Sequence, residues 1–307
     1  SGIAGLSCAA LAARGGKSVV LFEHHDKPGG CAGDFTISSK WGDFCFPTGA
    51  TAILGLENGG LHAELFRLLE ISCAAHSIQK LRVFLPDCTL DWHSNPQIWR
   101  RERAKLRGNR GAQELFWRLQ EIVADAGWFA LQKKPFLPLQ TPRDLWRNLP
   151  LAHPKIVPMI AALPFSVGEL LQVLRLENDR QFVALVNLAL LITVQSPMRR
   201  APLSNGLAGL DLWRHGAFHP VGGAGKIAWK LLEGFEKWGG ETRFSTRVVG
   251  VSRERGGWKI ETTNGEFWAE TVVWNGVFDP LCASHISPSE RGRPHWHFPH
   301  RLEISRK

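Results

Sequence analysis

Apolar positions along this chain keep a helical period in some stretches and run continuously or alternate in others. Residues 6–14 (LSCAALAAR) are rich in Ala and Leu with few polar positions, as a helix buried against a sheet requires. Gly15-Gly16 ends it, and residues 18–23 (SVVLFE) read as a short buried parallel strand. An aromatic run at 44–46 passes into small residues, and Gly59-Gly60 precedes a helix over 61–70 with Leu61, Leu65, Leu68 and Leu69 on one face. Residues 81–92 read as two β runs around Pro86-Asp87, a hairpin. The pattern is helical over 113–131, then broken into turns and short helices over 134–164 by Pro135, Pro138, Pro142, Pro150, Pro154, Pro158 and Pro164. It is helical again over 168–174 and 179–194. A further helix spans 226–238, with Ile227, Leu231, Leu232 and Phe235 inward and Gly239-Gly240 at its end. Four strand-like pieces follow, at 241–244, 248–251, 258–262 and 271–275, with Asn264-Gly265 as a hairpin turn.

This succession predicts an α/β protein in four parts: a nucleotide-binding part over 1–55, a mostly helical insertion over 56–200, a returning β-rich part over 201–280, and a divergent end over 281–307. At 307 residues the chain buries a large core and forms more than one domain. Its most apolar stretch, 182–194, is interrupted by Asn187 and suits a core helix better than a membrane span. The amino terminus lacks the basic start of a signal peptide. Six cysteines show no C-x-x-C pair, which predicts buried free thiols in a reducing compartment.

The chemistry is concentrated at the start. Gly2 and Gly5 flank the opening of the first helix, where unpaired N–H groups and the positive dipole end suit a pyrophosphate. Gly2 admits close backbone approach, and Gly5 lets the helix pack near the strand. Glu23 lies eighteen residues past Gly5, at the carboxyl end of the apolar run, where it can accept hydrogen bonds from a ribose. A strand and a first glycine should precede Gly2, and no Met heads the chain, so an incomplete or divergent product is expected.

These residues, with Asp26-Lys27-Pro28-Gly29-Gly30-Cys31-Ala32-Gly33, Thr48-Gly49-Ala50-Thr51, His219-Pro220-Val221-Gly222-Gly223, Gly239-Gly240, Val248 and Asn275-Gly276, resemble the FAD-dependent amine-oxidase-type superfamily, and within it the carotenoid desaturase and carotene isomerase branch. The resemblance covers 1–55 and 201–280. It implies a Rossmann-like FAD-binding domain lacking its first strand, with an inserted helical substrate domain. It places Gly2, Ile3, Ala4 and Gly5 at the pyrophosphate, Glu23 at the adenosine ribose, and Gly29 and Gly30 beside the ribityl chain. His25, Gly49, Ala50, Thr51 and Asn275 also fall along the cofactor, and Val248 meets the adenine through its backbone. Gly222-Gly223 starts a helix, a structural role.

The implied activity is desaturation or cis–trans isomerisation of a carotenoid or related polyene lipid. A conjugated chain delocalises developing charge, so no catalytic side chain is named. Asp87, Asp91 and Asp211 read as turn or cap residues. The alternatives are an amine- or retinoid-type flavin oxidoreductase and a non-catalytic remnant that binds lipid or a partner. Net charge is +9, with Arg100, Arg101, Arg103, Lys105, Arg107 and Arg110 in one stretch. That stretch reads equally as a solvated loop or as a site for an anionic membrane surface. No nucleic-acid motif accompanies it, and His295, His297 and His300 lack a further ligand at metal spacing, so neither nucleic acid nor metal is expected. Trp41, Trp92, Trp99, Trp117, Trp128, Trp146 and Trp213 read mainly as core. The expected location is the cytoplasmic side, peripheral to a membrane, or a thylakoid membrane in a photosynthetic organism.

Overall fold

The computed structural model describes residues 1–275 apart from 86, 134, 136–141 and 255. Two units divide the described residues, 1–77 with 218–275 and 78–217. The opening part of the first unit holds α1 (Ile3–Arg14), β1 (Val20–Phe22), β2 (Asp34–Ser39), β3 (Gly42–Pro47), β4 (Ile53–Leu54), α2 (Leu61–Leu69) and β5 (Ala75–Ile78). The second unit holds β6 (Lys80–Leu85), β7 (Cys88–His93), α3 (Pro96–Arg103), α4 (Arg110–Gln132), α5 (Pro142–Arg147), α6 (Val157–Ala162), α7 (Val167–Val173), α8 (Arg180–Thr193) and α9 (Leu203–Leu210). The chain returns to the first unit with β8 (Ala217–Pro220), α10 (Lys226–Lys237), β9 (Glu241–Arg243), β10 (Val248–Glu254), β11 (Gly257–Thr262) and β12 (Gly265–Ala269).

The cuts fall later than the expected 55/56 and 200/201. Packing decides this. Phe66 and Leu69 of α2 are buried with Leu6, Ala10, Ile227 and Phe235, so α2 belongs with α1 and α10. Leu203, Leu207 and Leu210 of α9 are buried with Phe116, Leu185 and Leu190, which assigns α9 to the helical unit.

In the first unit β1 and β9 run parallel, Val20 opposite Glu241 and Phe22 opposite Arg243. Helix α1 buries Leu6, Ala9, Ala10 and Ala13, a stripe at helical spacing whose small side chains permit close packing. Helix α10 buries Ile227, Leu231, Leu232 and Phe235, as the pattern predicts. Gly239, at φ 79°, then turns the chain toward β9. Helix α2 turns out differently. Leu61 is exposed, and Phe66 and Leu69 carry its buried face, which is turned around the helix from the Leu61 side toward Phe66.

Strands β10, β11 and β12 form an antiparallel sheet, with the Asn264-Gly265 turn between the last two. Residues 271–275 are not a strand. Their apolar pattern suits one, but no neighbour among the described residues gives them a ladder, and a strand exists only through its partner. Strands β2 and β3 pair as a hairpin, and β4, β8 and β5 form a further three-stranded sheet.

The second unit is mostly helical, with the expected β6–β7 hairpin at one end of its sequence. Side-chain caps start its helices: Asn109 accepts from the Ala112 N–H, Asp179 from the Phe182 N–H, and Ser166 with Glu169 completes a capping box. The core is aromatic. Trp92 and Trp99 stack with centroids 4.5 Å apart, and Trp117 meets both edge-on. Trp41 and Trp146 depart from the expected core role at 80% and 73% exposure, since neither the β2–β3 turn nor α5 has a covering element among the described residues.

Candidate dinucleotide site

Two glycine turns interlock at the start of α1. Gly29 donates its N–H to the Ser1 carbonyl at 3.0 Å, and Gly2 and Gly29 form a parallel bridge. Gly30 sits at φ 55°, and a Cβ there would lie 3.2 Å from the Gly2 Cα. A Cβ on Gly29, at φ 136°, would lie 2.6 Å from the Gly33 Cα. Both positions therefore require glycine on backbone grounds.

Helix α1 has no side-chain cap at Gly2, so its first-turn N–H groups remain open to an anion. Helix α10 also begins after glycines and has no side-chain cap, but a carboxylate lies near its start. A Cβ on Gly225 would stand 2.4 Å from Asp34 Oδ2, which places Asp34 against the helix start. With a carboxylate already near the α10 start, the α1 terminus is the more favourable of these two for an anion. Ile3 and Ala4 contribute to it through the first-turn backbone.

Asn275 reaches the same place from the far end of the described chain. A Cβ on Gly5 would lie 2.9 Å from Asn275 Nδ2, and one on Gly2 4.0 Å from it. Gly5 thus admits an amide side chain at the turn.

Glu23, 8% exposed, stands just beyond β1. Its Oε2 accepts the Ser1 hydroxyl at 2.8 Å and contacts the Ser1 amine, and its Oε1 accepts the His25 N–H at 3.0 Å. His25 Nδ1 is 3.0 Å from the same Oε1, and His24 Nδ1 is 3.1 Å from it. Burial opposes ionisation of Glu23. The His25 N–H and the Ser1 hydroxyl counter it and lower the pKa. The result is a fixed, anionic acceptor suited to a diol.

The adjoining segment is pinned in register. Glu23 donates its N–H to Arg243 O at 2.9 Å, Thr246 donates to Glu23 O at 2.8 Å, and Ser245 donates to His25 O at 2.8 Å. Val248 follows two residues past this ladder, at the start of β10. Gly49, Ala50 and Thr51 lie against the second glycine turn: Ala50 donates to Cys31 O at 3.2 Å, and a Cβ on Gly49 would lie 2.8 Å from it. The Thr51 carbonyl is 3.0 Å from His219 Nδ1 on β8.

The structure thus joins Gly2, Gly5, Gly29, Gly30 and Asn275 around the α1 terminus, and Glu23 with His25 beside it. His24 and Asp34 escaped the sequence reading, and Ser1 and His219 entered it only within motifs, with no site role. No local signal could have found Asp34, since the helix start it approaches lies far along the chain.

Other sequence candidates resolve into structural roles. Asp87 is in the β6–β7 turn, as expected. Asp91 is instead a strand residue, paired with Arg82 at 2.8 Å and Lys80 at 3.1 Å because it faces both across the hairpin. Asp211 caps α9 and is also the buried acceptor of Gln120, Trp128, Arg214 and His215. Of the basic stretch, Arg103 is buried over Trp117, Arg100 and Arg103 pair with Glu114, and Lys105 pairs with Glu102. Cys31 and Cys45 are free but exposed, and Cys8, Cys73 and Cys88 are half-buried, which corrects the expectation of buried thiols. His295, His297 and His300 lie outside the described residues. Within them, no helix is long and apolar enough to cross a membrane.

Residues 1–69 match the NAD(P)-binding Rossmann-like domain family. The dinucleotide-binding fold is Rossmann-like. Among solved structures, an oxidoreductase from Methanosarcina mazei is similar at 16% identity and TM-score 0.54, over 88% of this chain and 56% of that one. Putrescine oxidase bound to putrescine is similar at 15% identity and TM-score 0.55, over 93% and 58%. Cyclohexylamine oxidase from Brevibacterium oxydans follows at 14% and 0.52, over 88% and 55%. The chain shares their fold and spans somewhat more than half their length. No curated protein matches the sequence.

Proposed function

We propose that this chain holds FAD and serves an oxidoreductase of amine-oxidase-type architecture. One observation carries the reading: an uncapped α1 terminus, walled by glycines, stands beside a buried, ionised Glu23. An adenine dinucleotide presents a pyrophosphate and a ribose diol at about that separation of roles, and the residues fit both. Gly2, Ile3, Ala4 and Gly5 would receive the pyrophosphate on their N–H groups, and Glu23 would accept from the ribose. Gly29 and Gly30 would leave room for the ribityl chain, with Gly49, Ala50, Thr51 and Asn275 bordering it. Val248 would face the adenine through its backbone.

When bound, FAD supplies a hydride acceptor. The substrate assigned to it is a carotenoid or related polyene lipid, converted by desaturation or cis–trans isomerisation, and the support is the Pro28-Gly29-Gly30-Cys31-Ala32-Gly33 form of the second glycine turn. Conjugation spreads the developing charge, so this chain's task is to orient one carbon–carbon bond rather than to supply a base. Two cavities in the helical unit around Trp92 are of about 30 and 10 Å3, the size of water, and neither is a polyene channel. A second reading, oxidation of an amine, is favoured by the structural likeness to putrescine and cyclohexylamine oxidases. The polyene reading brings with it a peripheral position at an anionic membrane surface.

Incubation of the purified chain with FAD, desalting, and release of flavin on heating tests the cofactor. Near-equimolar retention that falls at least tenfold in Glu23→Ala is expected, and no retention overturns the proposal in favour of a non-catalytic remnant. Pigment analysis in a carotenoid-producing host then separates polyene from amine chemistry.

A further inference from the structure

Glu23, His24 and His25 place three ligand atoms within 4.8 Å of one another, one from each of three consecutive residues. Consecutive side chains of an extended strand point to opposite faces, so such a meeting needs a specific backbone. The chain supplies it. After β1 it bends at His24 and His25, and the three hydrogen bonds to residues 243–246 hold this bend on the neighbouring segment. The two imidazoles lie with centroids 3.5 Å apart and tilted by 47°, both Nδ1 atoms turned to Glu23 Oε1.

We propose that Glu23, His24 and His25 form a binding site for a divalent transition-metal ion of the zinc class, with Oε1 and the two Nδ1 atoms as ligands. Tetrahedral coordination at about 2.0–2.1 Å sets ligand atoms about 3.3 Å from one another. The two nitrogen–oxygen separations here, 3.0 and 3.1 Å, are within a few tenths of an ångström of that. One carboxylate and two imidazoles is a donor set suited to zinc, nickel or copper and ill suited to magnesium or calcium. The rings are 57% and 61% exposed, so an ion has an open path and a fourth position for water. Glu23 Oε2 stays with Ser1, which leaves Oε1 as the coordinating atom.

The site uses the carboxylate that the proposed dinucleotide reading assigns to the ribose. On that reading, metal and dinucleotide are mutually exclusive, and each weakens the other by the same factor.

The test is calorimetric titration of the chelator-stripped full chain with Zn2+ alone, beside the variants His24→Ala, His25→Ala and the pair. Because the rings are exposed, the variants keep the wild-type circular dichroism spectrum. One saturable site is expected, with affinity reduced about tenfold or more in each single variant and abolished in the double variant. Absence of saturable binding, or binding unchanged in the double variant, overturns the proposal, the second result assigning the ion to other histidines or cysteines. A repeat with FAD present reads the coupling. If metal-free protein retains no FAD, the dinucleotide reading fails while the variant titrations still decide the metal site. If FAD binds without weakening Zn2+, the shared-carboxylate geometry is wrong.

Discussion

Gly30 shows how a single missing Cβ sustains a binding surface. Its left-handed φ of 55° costs a non-glycine residue about 1–2 kcal/mol, and an added Cβ would press on the Gly2 backbone rather than on a yielding side chain. Gly30→Ala is expected to lower the thermal midpoint and to reduce FAD retention together, whereas a change confined to one of the two would separate strain from binding. Asp211 is the other residue whose surroundings set its behaviour. Burial raises its pKa, but His215, Arg214 and Gln120 lower it further, to below the ordinary 3.8. A carboxylate depressed in the folded state stabilises above its unfolded pKa, and that stability is lost as pH falls through the folded value. Denaturant titrations between pH 5 and 2 should show stability falling below about 3.8 in the wild type and a shallower fall in Asp211→Asn. Equal slopes would remove Asp211 from the acid response.

At the scale of elements, caps and close crossings do the organising. The Ser166–Glu169 box begins α7, with Ser166 half-buried and Glu169 exposed, so Ser166→Ala is expected to cost about 1 kcal/mol in chemical denaturation. Helix α9 crosses its neighbours at Gly206, where a Cβ would stand 2.4 Å from Val167 Cγ2 and 3.2 Å from Leu190 Cδ2. Gly206→Ala should destabilise by about 1–3 kcal/mol through overpacking, read by the same denaturation. The helices themselves were legible from periodicity and capping residues, because both act within one turn. The face of α2 was not, since the neighbours that bury Phe66 are tertiary. The piece at 271–275 was misread for the same reason, an apolar pattern being necessary for a strand but a partner being what makes it one.

Across the whole molecule, apolar surface is unevenly covered. On the β2–β3 hairpin, Phe35 lies opposite Phe46 and Ile37 opposite Phe44, and all four are exposed on one face. Contiguous apolar faces of this kind drive association. Sedimentation should show self-association rising with concentration, and Ile37→Lys with Phe44→Lys should return the chain to monomer; a wild-type monomer at all concentrations would contradict this. The net charge of +9 opposes such association, so it should strengthen with salt as the repulsion is screened.

Local information in the sequence determined the dinucleotide turn, most of the helices and the β6–β7 and β11–β12 hairpins. Each is written in residues a few positions apart, where backbone freedom, capping and side-chain period act directly. Tertiary structure alone decided which glycine-led helix start has a carboxylate beside it, because the Asp34 near the α10 terminus lies almost two hundred positions upstream. It also decided that Asn275 meets Gly5, that α9 belongs to the helical unit, and that Glu23, His24 and His25 converge on one point. These depend on which distant surfaces exclude water together and on which backbone groups pair, and neither is encoded in any short stretch of chain.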